Sequence, residues 1–205
     1  MNLISLLVSF GLLMVAMTVH EFSHAIVAFK LGDTTAKYSG RLTLNPLAHI
    51  DPIGTLLLPL LLFISTHGRF VFGYAKPVPI NYWALKNPKR DMGLIGLSGP
   101  AANLVFAFLL SLIWKALAHQ AALSYILEYL IVINVILGVF NLIPIPPLDG
   151  SRILSSLLTA RLASRYNLLE PYGFIILILF ITLGLTDIIV WPLIRIVFNL
   201  LGVPF

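Results

Sequence analysis

The chain has 205 residues, of which 59% are hydrophobic and 10% charged, with a formal net charge of +5. A mean hydropathy of +0.99 excludes an ordinary soluble domain, in which about a quarter of the residues are charged. The lack of cysteine excludes disulfides and thiolate metal sites, and no basic cluster interleaved with aromatic residues indicates nucleic-acid binding. We therefore expect one membrane domain over residues 1–205, an all-α polytopic protein with the lipid bilayer as its surroundings.

The first predicted element is an apolar helix over residues 3–29 that carries His20-Glu21-Phe22-Ser23-His24. Residues i and i+4 share one face of a helix, so both imidazoles can reach one metal ion. Glu21 then lies beside that metal, where it can take a proton from a water molecule. Ionisable groups inside a membrane are costly and mark functional sites. The alternative interpretation is a polar patch that lines a cavity or binds a neighbouring helix.

The next segment, residues 52–65, is apolar but only about 14 residues long, which predicts a re-entrant piece and not a crossing. With this path, every Lys and Arg lies on the cytoplasmic side except Lys115 and Arg195, as the positive-inside rule favours. Residues 70–80, which contain Pro77 and Pro79, are then predicted to be extended. Val78 and Ile80 are accordingly candidates for pairing with an unwound substrate strand; the alternative is an interfacial connecting loop.

Two further crossings are predicted over residues 92–114 and 125–148. The first contains Gly99-Pro100-Ala101-Ala102-Asn103, and Asn103 either donates to a developing oxyanion or forms an interhelical hydrogen bond. The second ends in Asn141-Leu142-Ile143-Pro144-Ile145-Pro146-Pro147-Leu148-Asp149-Gly150, where the prolines must loosen the helix. Asp149 is then either a third metal ligand, completing a His₂–carboxylate zinc set, or an ordinary helix cap.

The last predicted crossing covers residues 172–194. Residues 172–201 could form one crossing followed by an interfacial amphipathic piece, or two short helices broken near Gly184 and Asp187.

Together, these motifs resemble those of the site-2 protease family of intramembrane zinc metalloproteases, here in a compact form without PDZ or nucleotide-sensing domains. The resemblance implies a three-helix catalytic core and one Zn²⁺ per chain, held by His20, His24 and Asp149, with Glu21 activating water. It also implies a transmembrane protein substrate whose helix unwinds before cleavage. Asn103 matches an asparagine near the active site of this family, and Asn141 matches the first residue of the aspartate-bearing motif, so both are candidates for substrate or oxyanion contacts.

The expected topology places both metal-binding motifs at a similar depth. The helices over 3–29 and 125–148 both run from outside to inside, so their polar ends meet near the cytoplasmic face, in what we expect to be the cell membrane. Two other functions compete with proteolysis. A metal transporter would need a relay of acids and histidines through several helices, which are sparse here, and a non-proteolytic scaffold would be expected to have lost Glu21 or a ligand.

Overall fold

The protein is all-helical in a computed structural model that describes residues 3–65, 73, 75–117 and 121–204. Those residues contain no β-strand, which confirms the predicted fold class. They form nine α-helices: α1 (Leu3–Lys30), α2 (Thr35–Tyr38), α3 (Leu58–Ser65), α4 (Pro88–Leu117), α5 (Ala121–Asn141), α6 (Asp149–Leu157), α7 (Ala160–Asn167), α8 (Gly173–Thr182) and α9 (Trp191–Leu201).

Within the described residues, four helical stretches are long and apolar enough to cross a membrane: Val8–Lys30, Pro88–Leu117, Leu123–Asn141 and Ala160–Thr182. A helix satisfies its backbone hydrogen bonds internally, as the bilayer demands. The chain is therefore an integral membrane protein that crosses the bilayer several times. Residues 52–65 are helical too, as a π-helical turn at Pro52–Leu57 that continues into α3. They are not among the four stretches, and their membrane path stays a prediction.

Helices α1, α4 and α5 pack against one another and form the core of the molecule, with α4 in contact with both others. The fully buried side chains of Ala107, Ile131 and Val135 pack together between α4 and α5, and Ile95 of α4 packs in a second cluster with Ala28 of α1. Helix α6 packs against α4, and α9 packs against α5. The core thus comes from the three helices in which the sequence placed the functional motifs.

Two predicted helix boundaries need correction. The helix predicted over 125–148 ends at Asn141, and the proline-rich residues after it form turns, closed by bonds such as that from the Ile145 N–H to the Ile143 carbonyl. The helix predicted over 172–194 is divided, because Gly184 adopts a φ of 71° that stops α8. A π-helical turn at Thr186–Val190 then leads into α9, so the structure follows the two-helix alternative.

The predicted extended segment over 70–80 lies partly outside the described residues. Its described part, residues 73 and 75–80, contains no helix and has no described partner strand. The Lys76 N–H donates to the His49 carbonyl. Val78 is buried in a small apolar cluster with Ala25 of α1 and Ala36 of α2, and Ile80 packs at its edge. The segment therefore lies along α1 close to the His20–His24 motif.

Candidate metal centre

Helix α1 brings His20 and His24 together, because four residues of helix return to the same face. Their Nε2 atoms are 3.0 Å apart, and the two rings meet edge to face with centroids 4.6 Å apart. Both side chains are buried, at 8% and 4% exposure. The imidazoles thus converge on one point inside the helical core.

Asp149 reaches the same point from the first residue of α6. Its Oδ2 lies 2.9 Å from His20 Nε2 and 3.1 Å from His24 Nε2, while its Oδ1 lies 3.7 Å from Arg152 Nη1. The structure therefore brings together the three residues that the sequence predicted as metal ligands. The second carboxylate oxygen of Asp149 faces the guanidinium group of Arg152.

Gly150 makes this position of Asp149 possible. A Cβ built at Gly150 would collide with the carbonyl oxygens of Leu142 and Ile143, so the turn after α5 presses directly on the start of α6. Any side chain here would push the helix away from the turn. The Asp-Gly pair of the sequence motif is thus explained by close packing of backbone on backbone.

Helix α4 holds the opposite side of each imidazole. Asn103 Oδ1 lies 2.6 Å from His20 Nδ1, and the Ile95 carbonyl oxygen lies 2.7 Å from His24 Nδ1. Carbonyl oxygens only accept hydrogen bonds, so each Nδ1 carries the proton and each Nε2 presents a lone pair. Two imidazole lone pairs and a carboxylate oxygen therefore face one another at about hydrogen-bond distance.

This donor set fits a metal ion. Three electron-rich atoms that converge in a buried site repel one another unless positive charge lies between them, and imidazole nitrogen with carboxylate oxygen is a zinc ligand set that leaves a position for water. The acceptors behind both histidines are the outer partners that orient metal-bound imidazoles in proteins. In the described part of the chain, this is the one group of three or more His or acidic residues close enough to hold a metal.

Gly99 lies directly against both rings. A Cβ at this position would be 2.5 Å from His24 Nε2 and 2.7 Å from His20 Cε1, closer than real side chains approach. The absence of a side chain therefore lets α4 approach α1 and support the imidazoles. The glycine of the second sequence motif has a steric role at the centre itself.

Glu21 lies beside the centre and is not part of it. Its side chain is half-buried, and its Oε2 accepts a hydrogen bond of 3.1 Å from the Val78 backbone N–H. Since Val78 belongs to the extended segment, that segment contacts the proposed base directly. Asn141 is half-buried at the end of α5, where its Nδ2 donates to the Leu137 carbonyl. Among the described residues it makes no hydrogen bond to the metal cluster.

Asn103 has both of its side-chain N–H groups engaged. Its Nδ2 donates to the Ala16 carbonyl at 3.0 Å and to Asn134 Oδ1 at 2.7 Å. This geometry favours the interhelical hydrogen bond over the oxyanion contact. Asn134 and Arg152 were not predicted from the sequence as residues of the site. The role of Asn134 could have been predicted, because an amide side chain in the middle of an apolar helix needs a hydrogen-bond partner on a neighbouring helix.

Comparison with known proteins agrees with this geometry. A relative from Bacillus subtilis, named "Putative zinc metalloprotease YwhC", is 39% identical over 193 residues, which cover 89% of this chain and 84% of the relative. The protein named Rip2 of Mycolicibacterium smegmatis, described in the same words, is 35% identical over 84% of this chain and 65% of its own length. A relative from Methanocaldococcus jannaschii with the same description is 28% identical over 140 residues.

A match to a protein-family model points to the same kind of enzyme as these relatives. The model described as peptidase family M50 matches residues 110–182, which include Asp149. No solved structure matches the chain. The identity to the Bacillus protein, over most of both chains, settles the assignment: this chain belongs to peptidase family M50, the site-2 protease family, and is a membrane zinc metalloprotease.

Proposed function

We propose that the protein is an intramembrane endopeptidase that hydrolyses peptide bonds in or near the transmembrane segments of membrane-protein substrates. One observation carries the proposal: the cluster of His20, His24 and Asp149 is buried, and its two histidines lie within the candidate membrane span Val8–Lys30. Polar groups at such a position are costly and mark the place where a membrane protein does its chemistry.

One zinc ion per chain would be held by His20 Nε2, His24 Nε2 and Asp149 Oδ2. When bound, zinc polarises the scissile carbonyl group and lowers the pKa of a water molecule. Glu21 is the general base: its carboxylate takes the proton of the attacking water and delivers it to the leaving nitrogen. The Val78 N–H holds one oxygen of that carboxylate in place, at 3.1 Å.

The substrate would be a transmembrane helix that unwinds before cleavage, since a helix hides its backbone groups in internal hydrogen bonds. The extended residues around Val78 and Ile80 offer a backbone along which an unwound substrate can pair, and Asn141 offers a carboxamide at the end of α5. The basic loops support a site near the cytoplasmic face of the cell membrane, within one catalytic domain over 1–205.

The experiment compares wild-type protein with Glu21→Gln, purified in detergent, for bound zinc and for cleavage of a transmembrane peptide. Glu21→Gln should keep its zinc and lose at least about 100-fold in rate, since the amide cannot accept the proton. Glu170→Gln, at an exposed acid far along the chain, is the matched control and should cleave normally. Wild-type rates in Glu21→Gln would refute the mechanism. Cleavage of a soluble peptide, with the transmembrane peptide left intact, would refute the intramembrane substrate.

A further inference from the structure

A chain of hydrogen bonds crosses the three core helices behind the metal centre. It starts at His20 Nδ1 on α1, continues to Asn103 on α4 at 2.6 Å, and from there to Asn134 on α5 at 2.7 Å. It ends at the Leu130 carbonyl, 2.8 Å from Asn134 Nδ2. Asn103 and Asn134 are both fully buried, at 0% exposure. Bulk solvent therefore does not reach either carboxamide group.

The direction of these bonds is fixed from the α5 end. The Leu130 carbonyl can only accept, so the amide group of Asn134 faces it and Asn134 Oδ1 faces Asn103. That oxygen can in turn only accept, so the amide group of Asn103 faces Asn134 and the oxygen of Asn103 faces His20. His20 must then carry its proton on Nδ1, which leaves the Nε2 lone pair for the metal.

We propose that Asn134 is a positioning residue of the metal centre: through Asn103 it sets the tautomer and orientation of His20. This inference rests on the proposed role of His20 as a zinc ligand. A carboxamide can turn end over end within the same volume, and the orientation it takes depends on its partners. A turned Asn103 would aim its N–H groups at His20 Nδ1 and stabilise the tautomer with the proton on Nε2, which cannot bind a metal.

The backbone of α1 also helps to fix the orientation of the Asn103 carboxamide. The Ala16 carbonyl, 3.0 Å from Asn103 Nδ2, accepts the second N–H of the same amide group. Loss of Asn134 therefore weakens the preference without abolishing it. Hydrogen bonds aligned in one direction also polarise one another, so the complete chain makes His20 Nε2 a better electron donor.

The test is a double-mutant cycle on zinc affinity, measured in detergent by competition with a chromophoric chelator. Asn134→Leu removes the acceptor at nearly constant volume and should weaken zinc binding about tenfold, the lower end of the range for outer partners of a metal ligand. Asn103→Leu should weaken it at least as much. The double variant should equal Asn103→Leu alone, because Asn134 acts through Asn103.

Two further variants test whether the loss of zinc affinity comes only from a general disturbance of the helix packing. Ser111→Ala removes another buried hydrogen bond of α4, the one to the Phe108 carbonyl, and should bind zinc as wild type does. Asn134→Asp, neutral when buried, keeps both an acceptor for Asn103 and a donor for Leu130, and should bind zinc close to the wild-type affinity.

Three results would overturn the inference: unchanged affinity in Asn134→Leu, additive losses in the double variant, or a loss in Asn134→Asp as large as in Asn134→Leu. Failure of the proposed function looks different. In that case the wild-type protein binds no zinc, or His20→Ala binds it undiminished, whatever stands at position 134.

Discussion

Gly99→Ala is the smallest change that should disable the metal centre. The added methyl group would lie 2.5 Å from His24 Nε2, 2.6 Å from His24 Cε1 and 2.7 Å from His20 Cε1. Ordinary contacts begin near 3.4 Å, so the rings or the helix must give way by about 1 Å, and misplacement on that scale costs about 100-fold in rate. Helix propensity works in the opposite direction, because Ala is better than Gly in a helix by about 1 kcal/mol.

The assay measures three quantities on the same preparation: zinc per chain, cleavage of a transmembrane peptide, and the thermal midpoint followed by circular dichroism. We expect Gly99→Ala to lose most of its zinc after dialysis against a weak chelator, with a cleavage rate lower by about 100-fold. Helical content should remain, since the clash is local to the two imidazoles and the supporting helices keep their apolar contacts.

Gly11→Ala provides the matched control. Gly11 also lies within a membrane-spanning helix, but a Cβ there meets nothing within 4 Å. The control should retain its zinc and its activity. If Gly99→Ala kept full zinc and the wild-type rate, the close approach of α4 to the two rings would not be what shapes the site.

Two other predictions follow from the same structure. Asp149→Ala should lose stoichiometric zinc in a metal assay while exposed Asp187→Ala keeps it, because two imidazoles alone bind the ion too weakly; full occupancy in Asp149→Ala would exclude that residue as a ligand. Single cysteines at the exposed positions Ser39 and Asn87 should both react with an impermeant reagent from the cytoplasmic side, since the chain has no native cysteine and residues 52–65 are too short to cross. Labelling from opposite sides would show that the segment spans.

The local sequence pattern was enough to predict that His20, His24 and Asp149 form the candidate metal centre. His20 and His24 had to share a helix face, and the prolines before Asp149 had to loosen the helix ahead of that acid. The charge bias of the loops predicts that both motifs lie at a similar depth. These inferences need only helix periodicity, the positions of the prolines and the distribution of charged residues, all of which are visible in the sequence.

The hydrogen-bond partners behind the two histidines could not be predicted from the sequence in the same way. The contact of Asn134 with Asn103 depends on how far α4 and α5 slide along each other, and the support of His24 comes from a backbone carbonyl, that of Ile95, which no side chain marks. The end of α5 at Asn141 was also missed. The hydrophobic run continues through the proline turns to Leu148, where Ile143 and Leu148 are buried although Leu142 is exposed, so apolar composition does not mark where the helix ends.

Different elements hold the proposed metal ligands and the proposed general base. His20 and His24 come from α1 and are oriented by hydrogen bonds to α4, within the three-helix core. Glu21 projects from the same helix toward Val78, in a connecting segment that lies outside that core. A substrate strand that displaced or paired with the connecting segment would therefore change the surroundings of Glu21, the proposed base, while the acceptors behind both imidazoles stayed in place. Zinc binding and cleavage should therefore separate in Glu21→Gln, which keeps zinc and loses its rate, whereas Gly99→Ala should lose both.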